Sequence, residues 1–289
     1  MNTGPTPEEL ERLLAGITYR RDVSAFENYG ELRDLLECDT HGQVLEYLWA
    51  AMERMSEETR GAVVFIVAER LFQLGDERRL RELAASGDST VVYYTLNGLW
   101  GKPRDPTRIG PLIVDLVVGG AQSPDDRVRA EVCRLLQNHC AWKVDVRGAV
   151  GQLPKLLADP VDSVRRAASF AVGHLAKRKY DLLTLLPLLR RNAIDESIQV
   201  REGAAWALAQ MTRAKFDIGS AVPELVAALQ TPDAYSELLR AATGALLHHA
   251  KKSSDARSQV RAALAKVRLD LSPKAIKKFV DEIGAGEAE

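Results

Sequence analysis

The sequence has few cysteines and no long apolar run, and each absence excludes a class of protein. Its three cysteines (Cys38, Cys133 and Cys140) are an odd number without regular spacing, so we expect reduced thiols and no disulfide framework. The longest uncharged apolar runs, residues 61–68 and 182–189, are far shorter than the ~20 residues that span a bilayer. The amino terminus is acidic and lacks the apolar core of a signal peptide. We therefore predict a cytoplasmic protein.

The sequence also lacks an excess of either charge and the common catalytic motifs. The formal net charge is −1, so no overall field attracts nucleic acid or a membrane surface. The sequence contains no phosphate-binding loop, dinucleotide fingerprint, HExxH, GxSxG or CxxC motif. Cys133, His139 and Cys140 share one predicted helix, but their spacing suits no ordinary zinc site. We therefore predict a protein that is not an enzyme and that holds no metal or cofactor.

What the chain does contain is an internal repeat. Residues 159–176 (DPVDSVRRAASFAVGHLA) and 195–212 (DESIQVREGAAWALAQMT) match clearly, and residues 123–140 and 231–250 are weaker copies. An arginine recurs in the four copies at spacings of 36, 36 and 39 residues: Arg129, Arg165, Arg201 and Arg240. An apolar helix precedes each copy and carries a proline: Pro111, Pro154, Pro187 and Pro223. The repeat unit is therefore helix A, a polar turn and helix B, without the period-2 alternation of strands.

The apolar residues of each helix B form one stripe. Counted from the recurring arginine, positions −1, +3, +7 and +10 are apolar or small in almost every copy. A pair of helices cannot bury such a stripe by itself, so neighbouring pairs have to supply the other wall.

The spacing, the helix-A proline, the turn aspartate and the helix-B arginine resemble HEAT repeats, of the bacterial kind also called PBS-lyase-like. The resemblance implies an all-α fold, a right-handed α-solenoid of about six helix pairs with capping helices at both ends. It divides the chain into N-terminal capping helices (1–40), the repeat solenoid (41–254), and C-terminal capping helices with a frayed tail (255–289). It also implies an arginine–aspartate ladder between successive repeats, made by Asp159, Arg165, Asp195 and Arg201.

The same resemblance places the B helices along the concave surface of the solenoid. Positions +1, +5, +9 and +12 point away from the buried stripe, and we expect them to face a partner. Aromatic and arginine anchors are typical of interface hot spots. The candidate partner-binding residues are Arg134, Phe170, His174, Lys177, Trp206, Gln210, Arg213 and His249. The alternative is that Phe170 and Trp206 wedge between adjacent B helices.

We therefore predict a non-catalytic scaffold or adaptor that captures a protein partner on this concave face. One alternative is an immunity protein that neutralises a toxin. The other is an alkylpurine DNA glycosylase of the HEAT-like repeat type, for which Trp100 with Asp105 and Trp142 with Asp145 are the candidate pairs. Partner identity and oligomeric state are left open.

Overall fold

A computed structural model describes residues 5–15, 29–39, 42–230, 236–266, 279 and 281–284. Within these ranges all regular secondary structure is helical, and no strand occurs. This confirms the predicted all-α class. None of the helices in these ranges combines the length and the apolar character that crossing a bilayer requires.

The chain divides into two compact units, Met1–Leu135 and Leu136–Glu289, with the boundary inside one helix. The helices that begin in the first unit are α1 (Pro7–Ala15), α2 (Tyr29–Cys38), α3 (Gln43–Ala51), α4 (Glu57–Leu74), α5 (Glu77–Ala84), α6 (Ser89–Gly98), α7 (Gly110–Gly120) and α8 (Asp126–Ala141). Those of the second unit are α9 (Leu153–Leu157), α10 (Asp162–Lys177), α11 (Leu186–Ala193), α12 (Ile198–Arg213), α13 (Val222–Ala228), α14 (Ser236–Ala250) and α15 (Ser254–Leu264). The predicted division into a solenoid and two caps stays a prediction.

Within the described ranges, α3 to α14 form six successive A–B pairs, with the B helices at even numbers. The four prolines lie in the first turn of α7, α9, α11 and α13. A proline is tolerated there because the backbone N–H that it lacks would have no partner inside the helix. The sequence pattern therefore locates the starts of these four A helices.

A lysine in the left-handed backbone region lies two residues after the end of three B helices. Lys143, Lys179 and Lys215 have φ angles of 64°, 59° and 73° and follow α8, α10 and α12. Each lysine opens a Lys-x-Asp segment. The aspartate then starts the next turn: the carboxylate of Asp217, for example, accepts the backbone N–H of Gly219 at 2.9 Å. This segment turns the chain from one repeat into the next.

The B-helix stripes are buried as predicted. In α8, α10 and α12 the side chains at positions −1, +3, +7 and +10 are all 0% exposed: Val128, Val132, Leu136, His139, Val164, Ala168, Val172, Leu175, Val200, Ala204, Leu208 and Met211. Burying a Val or Leu side chain contributes about 1.5–3 kcal/mol. These stripes therefore supply much of the core.

An arginine–aspartate pair links successive repeats in each unit. In the second unit, Nε and Nη2 of Arg165 donate to the carboxylate of Asp195 at 2.9 and 3.0 Å. In the first unit, Nη1 of Arg60 donates to Asp88 at 3.0 Å. Each arginine also donates to carbonyls of the turn before its own helix, for example Arg165 to the oxygen of Asp159 at 2.9 Å. One guanidinium thus fixes its own turn and the turn of the next repeat.

The ladder is less complete at Arg201. Its Nη1 donates to the carbonyl oxygens of Asp195 and Glu196 at 2.7 and 3.3 Å. Its Nε is buried and has no hydrogen-bond partner within the described residues. Thr231, which holds the corresponding position in the next turn, lies outside them.

Helices outside the six pairs precede and follow them in the sequence. Helices α1 and α2 fall within the predicted N-terminal caps, and residues 16–28 lie outside the described ranges. At the other end Ser253 caps α15 by accepting the N–H of Ala256 at 3.1 Å. Arg261 of α15 donates to the carbonyl of Ile283 at 2.8 Å. Most of the second predicted cap, residues 272–278 included, is not described.

Candidate functional site

Two adjacent B helices of the second unit, α10 and α12, bring together a set of aromatic and charged side chains. We call this set the aromatic–cationic face; it comprises Arg166, Phe170, His174, Lys177, Glu202, Trp206 and Arg213. Its members lie at positions +1, +5, +9 and +12, on the side of each helix away from the buried stripe.

Trp206 lies at the centre of this face. Its ring centroid is 5.2 Å from that of Phe170 and 5.1 Å from that of His174. The ammonium nitrogen of Lys177 lies 4.9 Å from the same ring. Such aromatic pairs and cation–π contacts contribute about 0.5–1.5 kcal/mol each. The indole is thus held in one orientation by three neighbours on α10.

The indole also fills the space above Gly173 of α10. A Cβ atom added at Gly173 would lie 2.2 Å from Cζ3 of Trp206. Only glycine therefore leaves room for this ring between the two helices. Both Trp206 and Phe170 are nevertheless half-buried, so each keeps a part of its surface in solvent. The sequence offered two hypotheses for Trp206, a wedge between helices and an exposed anchor. One side of the ring packs between the helices, and the other remains exposed to solvent.

At the N-terminal end of the face, Arg166 is paired with other members of the set. Its guanidinium carbon lies 5.4 Å from the ring of Phe170. Its Nη2 lies 3.5 Å from Oε2 of Glu202. The cation and the acid at this end therefore compensate each other.

The C-terminal end has a different charge. Lys177 is exposed, and Nε of the exposed Arg213 donates to Nε2 of His248 on α14 at 3.1 Å. Burial, followed by the charge of Lys177, lowers the pKa of His174. Burial also lowers the pKa of His248, with Arg213 and Lys251 adding to the effect. Both imidazoles are therefore neutral at physiological pH, and the charge at this end is that of the lysine and the arginine.

Two residues that the sequence assigned to the face are not available to a partner. Gln210 is only 5% exposed and His249 only 3%. Nε2 of His249 lies 3.1 Å from Oε1 of Gln259 on α15, so the next helix covers it. A side chain this deeply covered cannot contact a partner from solution, so we leave both out of the face.

Arg134 lies in the first unit, and its contacts are structural. Its Nη1 lies 2.8 Å from Oε2 of Glu131, whose side chain is 0% exposed. Nε1 of Trp100 donates to the other carboxylate oxygen at 2.5 Å. Burial raises the pKa of Glu131, and these two hydrogen bonds oppose that rise without cancelling it. The sequence analysis did not single out Glu131, although an acid among the apolar residues of helix B is the signal of a buried pair.

The residue pairs proposed for a glycosylase have other partners. The carboxylate of Asp145 pairs with Nη2 of Arg147 at 2.6 Å, and hydrogen bonds from Arg147 lower its pKa to about 2. Asp105 accepts hydrogen bonds from Thr107 and Arg108, whereas the indole of Trp100 donates to Glu131. A carboxylate with so low a pKa is a weak general base. Within the described residues no group of three His, Cys, Asp or Glu side chains is placed to hold a metal ion.

Comparisons with known proteins support the fold. A family model described as a HEAT-like repeat matches residues 162–211, which span α10 to α12. The Escherichia coli protein YibA is similar in structure, with a TM-score of 0.61, 17% sequence identity, and coverage of 97% of this chain and 93% of that one. An engineered protein has a TM-score of 0.60 and 20% identity, covering 94% of this chain and 76% of its own. A designed armadillo repeat protein in complex with the peptide (KR)4 has a TM-score of 0.52 and 19% identity, covering 72% of this chain and 97% of that one. No curated protein is similar enough in sequence to count as a match.

The helix pairs, the ladder and these similarities together define an α-solenoid. The chain therefore has an all-helical repeat fold, in which residues 162–211 are similar to a HEAT-like repeat.

Proposed function

We propose that this protein is a non-catalytic scaffold or adaptor that captures a protein partner on the aromatic–cationic face. The observation that carries the proposal is the placement of Trp206. Its ring is fixed by Phe170, His174 and Lys177, yet a part of it stays in solvent.

A fixed, partly exposed aromatic ring is a favourable anchor for a protein partner. It offers a large apolar area, and little conformational freedom is lost on binding because the ring is already ordered. The indole N–H adds one hydrogen-bond donor for a polar group of the partner. The repeat fold commonly serves protein binding, and the designed armadillo repeat protein similar to this chain is in complex with a peptide. We also propose a cytoplasmic location, which agrees with the three free cysteines.

The test compares two tryptophan variants. Trp206→Ala removes the anchor, whereas Trp142→Ala removes a tryptophan of the same unit that is 40% exposed and lies outside the face. Each full-length variant is used to capture proteins from an extract of the source cells, with quantification by mass spectrometry. Melting curves on the same samples give the temperature at which both variants are fully folded.

We expect a protein that is held by the wild type and by Trp142→Ala but is lost with Trp206→Ala. Removal of an interface hot spot costs about 2 kcal/mol or more, which is a loss of more than tenfold in affinity. Truncating a packed aromatic ring costs about 3–5 kcal/mol of stability when it is fully buried. Capture that falls only in proportion to the folded fraction would show that Trp206 is a packing residue and would overturn the proposal.

A further inference from the structure

Within the part of the chain that the structure describes, two cations at the C-terminal end of the aromatic–cationic face have no acidic partner. Lys177 ends α10 and Arg213 ends α12, so the two occupy the same position in successive repeats. Among the described residues neither makes an ion pair: Lys177 contacts the ring of Trp206, and Arg213 donates to the neutral imidazole of His248. Most other arginines of the second unit are paired with a carboxylate or bound to backbone carbonyls, as Arg165, Arg190 and Arg201 are.

The third cation of this row is Lys252, which follows α14. Lys252 is exposed, but its ammonium donates to the carbonyl oxygen of Phe216. The carboxylate of the nearby Asp217 also stabilises its positive charge. Glu202, the acid of the face, lies at the opposite end and is paired with Arg166. Among the members of the face, all of which the structure describes, the cations without a carboxylate partner are therefore Lys177 and Arg213.

The spacing of these two cations suits an extended chain. Adjacent packed helices lie about 8–10 Å apart. A peptide in the extended polyproline II conformation has three residues per turn and rises about 3.1 Å per residue, so residues i and i+3 lie on the same face about 9 Å apart. Two carboxylates three positions apart in such a segment therefore match cations on neighbouring B helices. A side chain between these two positions points along the surface, where the half-buried ring of Trp206 offers an apolar contact.

We propose that the partner presents an extended acidic peptide segment, with carboxylates three residues apart that pair with Lys177 and Arg213 and an apolar side chain between them that lies on Trp206. This proposal rests on the proposed function and specifies the chemistry of the partner. The designed armadillo repeat protein is in complex with a peptide of the opposite charge, (KR)4.

The first test selects ligands without knowledge of the partner. A displayed library of short random peptides is screened against the full-length protein. We expect the selected peptides to be enriched in Asp and Glu at positions i and i+3, with an apolar residue between them. Enrichment in Lys and Arg, enrichment without acidic residues, or the absence of any enrichment would overturn the proposal.

The second test measures the binding of a selected acidic peptide by fluorescence anisotropy. The double variant Lys177→Ala/Arg213→Ala removes both cations, and Arg191→Ala removes an exposed cation of the A helix α11 as the matched control. A partly exposed ion pair contributes up to about 1 kcal/mol, so the loss of two weakens binding by roughly tenfold. We expect Arg191→Ala to bind like the wild type and added salt to weaken wild-type binding. Equal affinities of the double variant and the wild type would overturn the proposal.

Two further outcomes distinguish the acidic segment from a nucleic-acid ligand and from the proposed function itself. A short oligothymidylate that binds more tightly than the acidic peptide, with the same dependence on Lys177 and Arg213, would replace the peptide by a nucleic acid. A protein captured in a Trp206-dependent way that still binds the double variant would refute the acidic segment while leaving the proposed function intact. If no protein is captured in a Trp206-dependent way, both the acidic segment and the proposed function are refuted.

Discussion

The ladder arginine Arg165 gives the sharpest prediction about stability. Its guanidinium donates two hydrogen bonds to Asp195 and one each to the carbonyl oxygens of Asp159 and Pro160, all at 2.9–3.0 Å. The side chains of Arg165 and Asp195 are only 15% and 10% exposed. Arg165→Ala therefore leaves a nearly buried carboxylate and two turn carbonyls without their donor.

The cost follows from these contacts. Hydrogen bonds to charged groups contribute about 1.5–3 kcal/mol, and breaking a fully buried ion pair costs about 3–5 kcal/mol. Because the pair keeps some solvent contact, and because the Ser197 N–H still donates to Asp195 at 3.0 Å, we expect a loss of about 2–3 kcal/mol. For a unit of this size that corresponds to a fall in melting temperature of roughly 5–10 °C. Arg201→Ala, which removes hydrogen bonds to two carbonyls, should cost about 1–2 kcal/mol.

The assay is thermal and urea denaturation of the full-length variants, followed by far-ultraviolet circular dichroism. Arg213→Ala is the control, because this exposed arginine should contribute less than about 1 kcal/mol. Arg165→Lys keeps the charge but not the two-pronged geometry, so it should restore only a part of the loss. Equal midpoints for Arg165→Ala and Arg213→Ala would refute a structural role for the ladder.

The same pair predicts how stability depends on pH. Burial raises the pKa of Asp195, but the hydrogen bonds from Arg165 and from the Ser197 N–H lower it by more, so its pKa lies below the ordinary value. A carboxylate with a lowered pKa stabilises the fold above its unfolded pKa of about 3.9 and loses that contribution as the pH falls through the folded value. The stability difference between wild type and Arg165→Ala should therefore shrink in acid. A difference that stays constant down to the acid transition would contradict this assignment.

Two further predictions concern the packing of Trp206 and the reactivity of the thiols. Gly173→Ala would place a methyl group 2.2 Å from the indole of Trp206, so it should cost about 1–3 kcal/mol and change the tryptophan fluorescence. Gly244→Ala, in a helical site with nothing within 4 Å, should instead stabilise by about 0.5–1 kcal/mol, and the opposite order of melting temperatures would contradict the packing described. Burial raises the pKa of Cys140 to about 11, so in the folded protein Ellman's reagent should titrate only the exposed Cys38 at neutral pH. Rapid reaction of a second thiol without unfolding would show that the region around Cys140 opens.

The repeat architecture could be predicted from the sequence because its signals are local. The proline of each A helix, the turn aspartate and the helix-B arginine recur at nearly constant spacing, and the apolar stripe has the period of a helix. The pairing of Arg165 with Asp195 follows from stacking one such unit on the next. In the first unit Asp88 was not recognised as the partner of Arg60, because the copies there are weaker.

The limits of the binding face could not be predicted in the same way. Helical periodicity assigns half of each B helix to the outside, but a B helix in a stack has neighbours on both flanks. Position +9 points towards a neighbouring helix of the stack. Gln210 and His249 at this position are therefore buried, whereas His174 is half-buried. The contact of Trp206 with Gly173 depends on the absence of a side chain on a different helix, which no pattern within one repeat reveals.

The central claim is that the aromatic–cationic face of α10 and α12 contacts a protein partner, and site-specific photo-crosslinking tests it most directly. A photoreactive side chain replaces Lys177 on this face or, as the control, the exposed Lys155 on the A helix α9. Irradiation in the source cells is followed by identification of the crosslinked proteins. The account predicts a discrete crosslinked partner from position 177 that is absent from position 155 and is lost when Trp206→Ala is added. A partner crosslinked equally from both positions, or from position 155 alone, would contradict it.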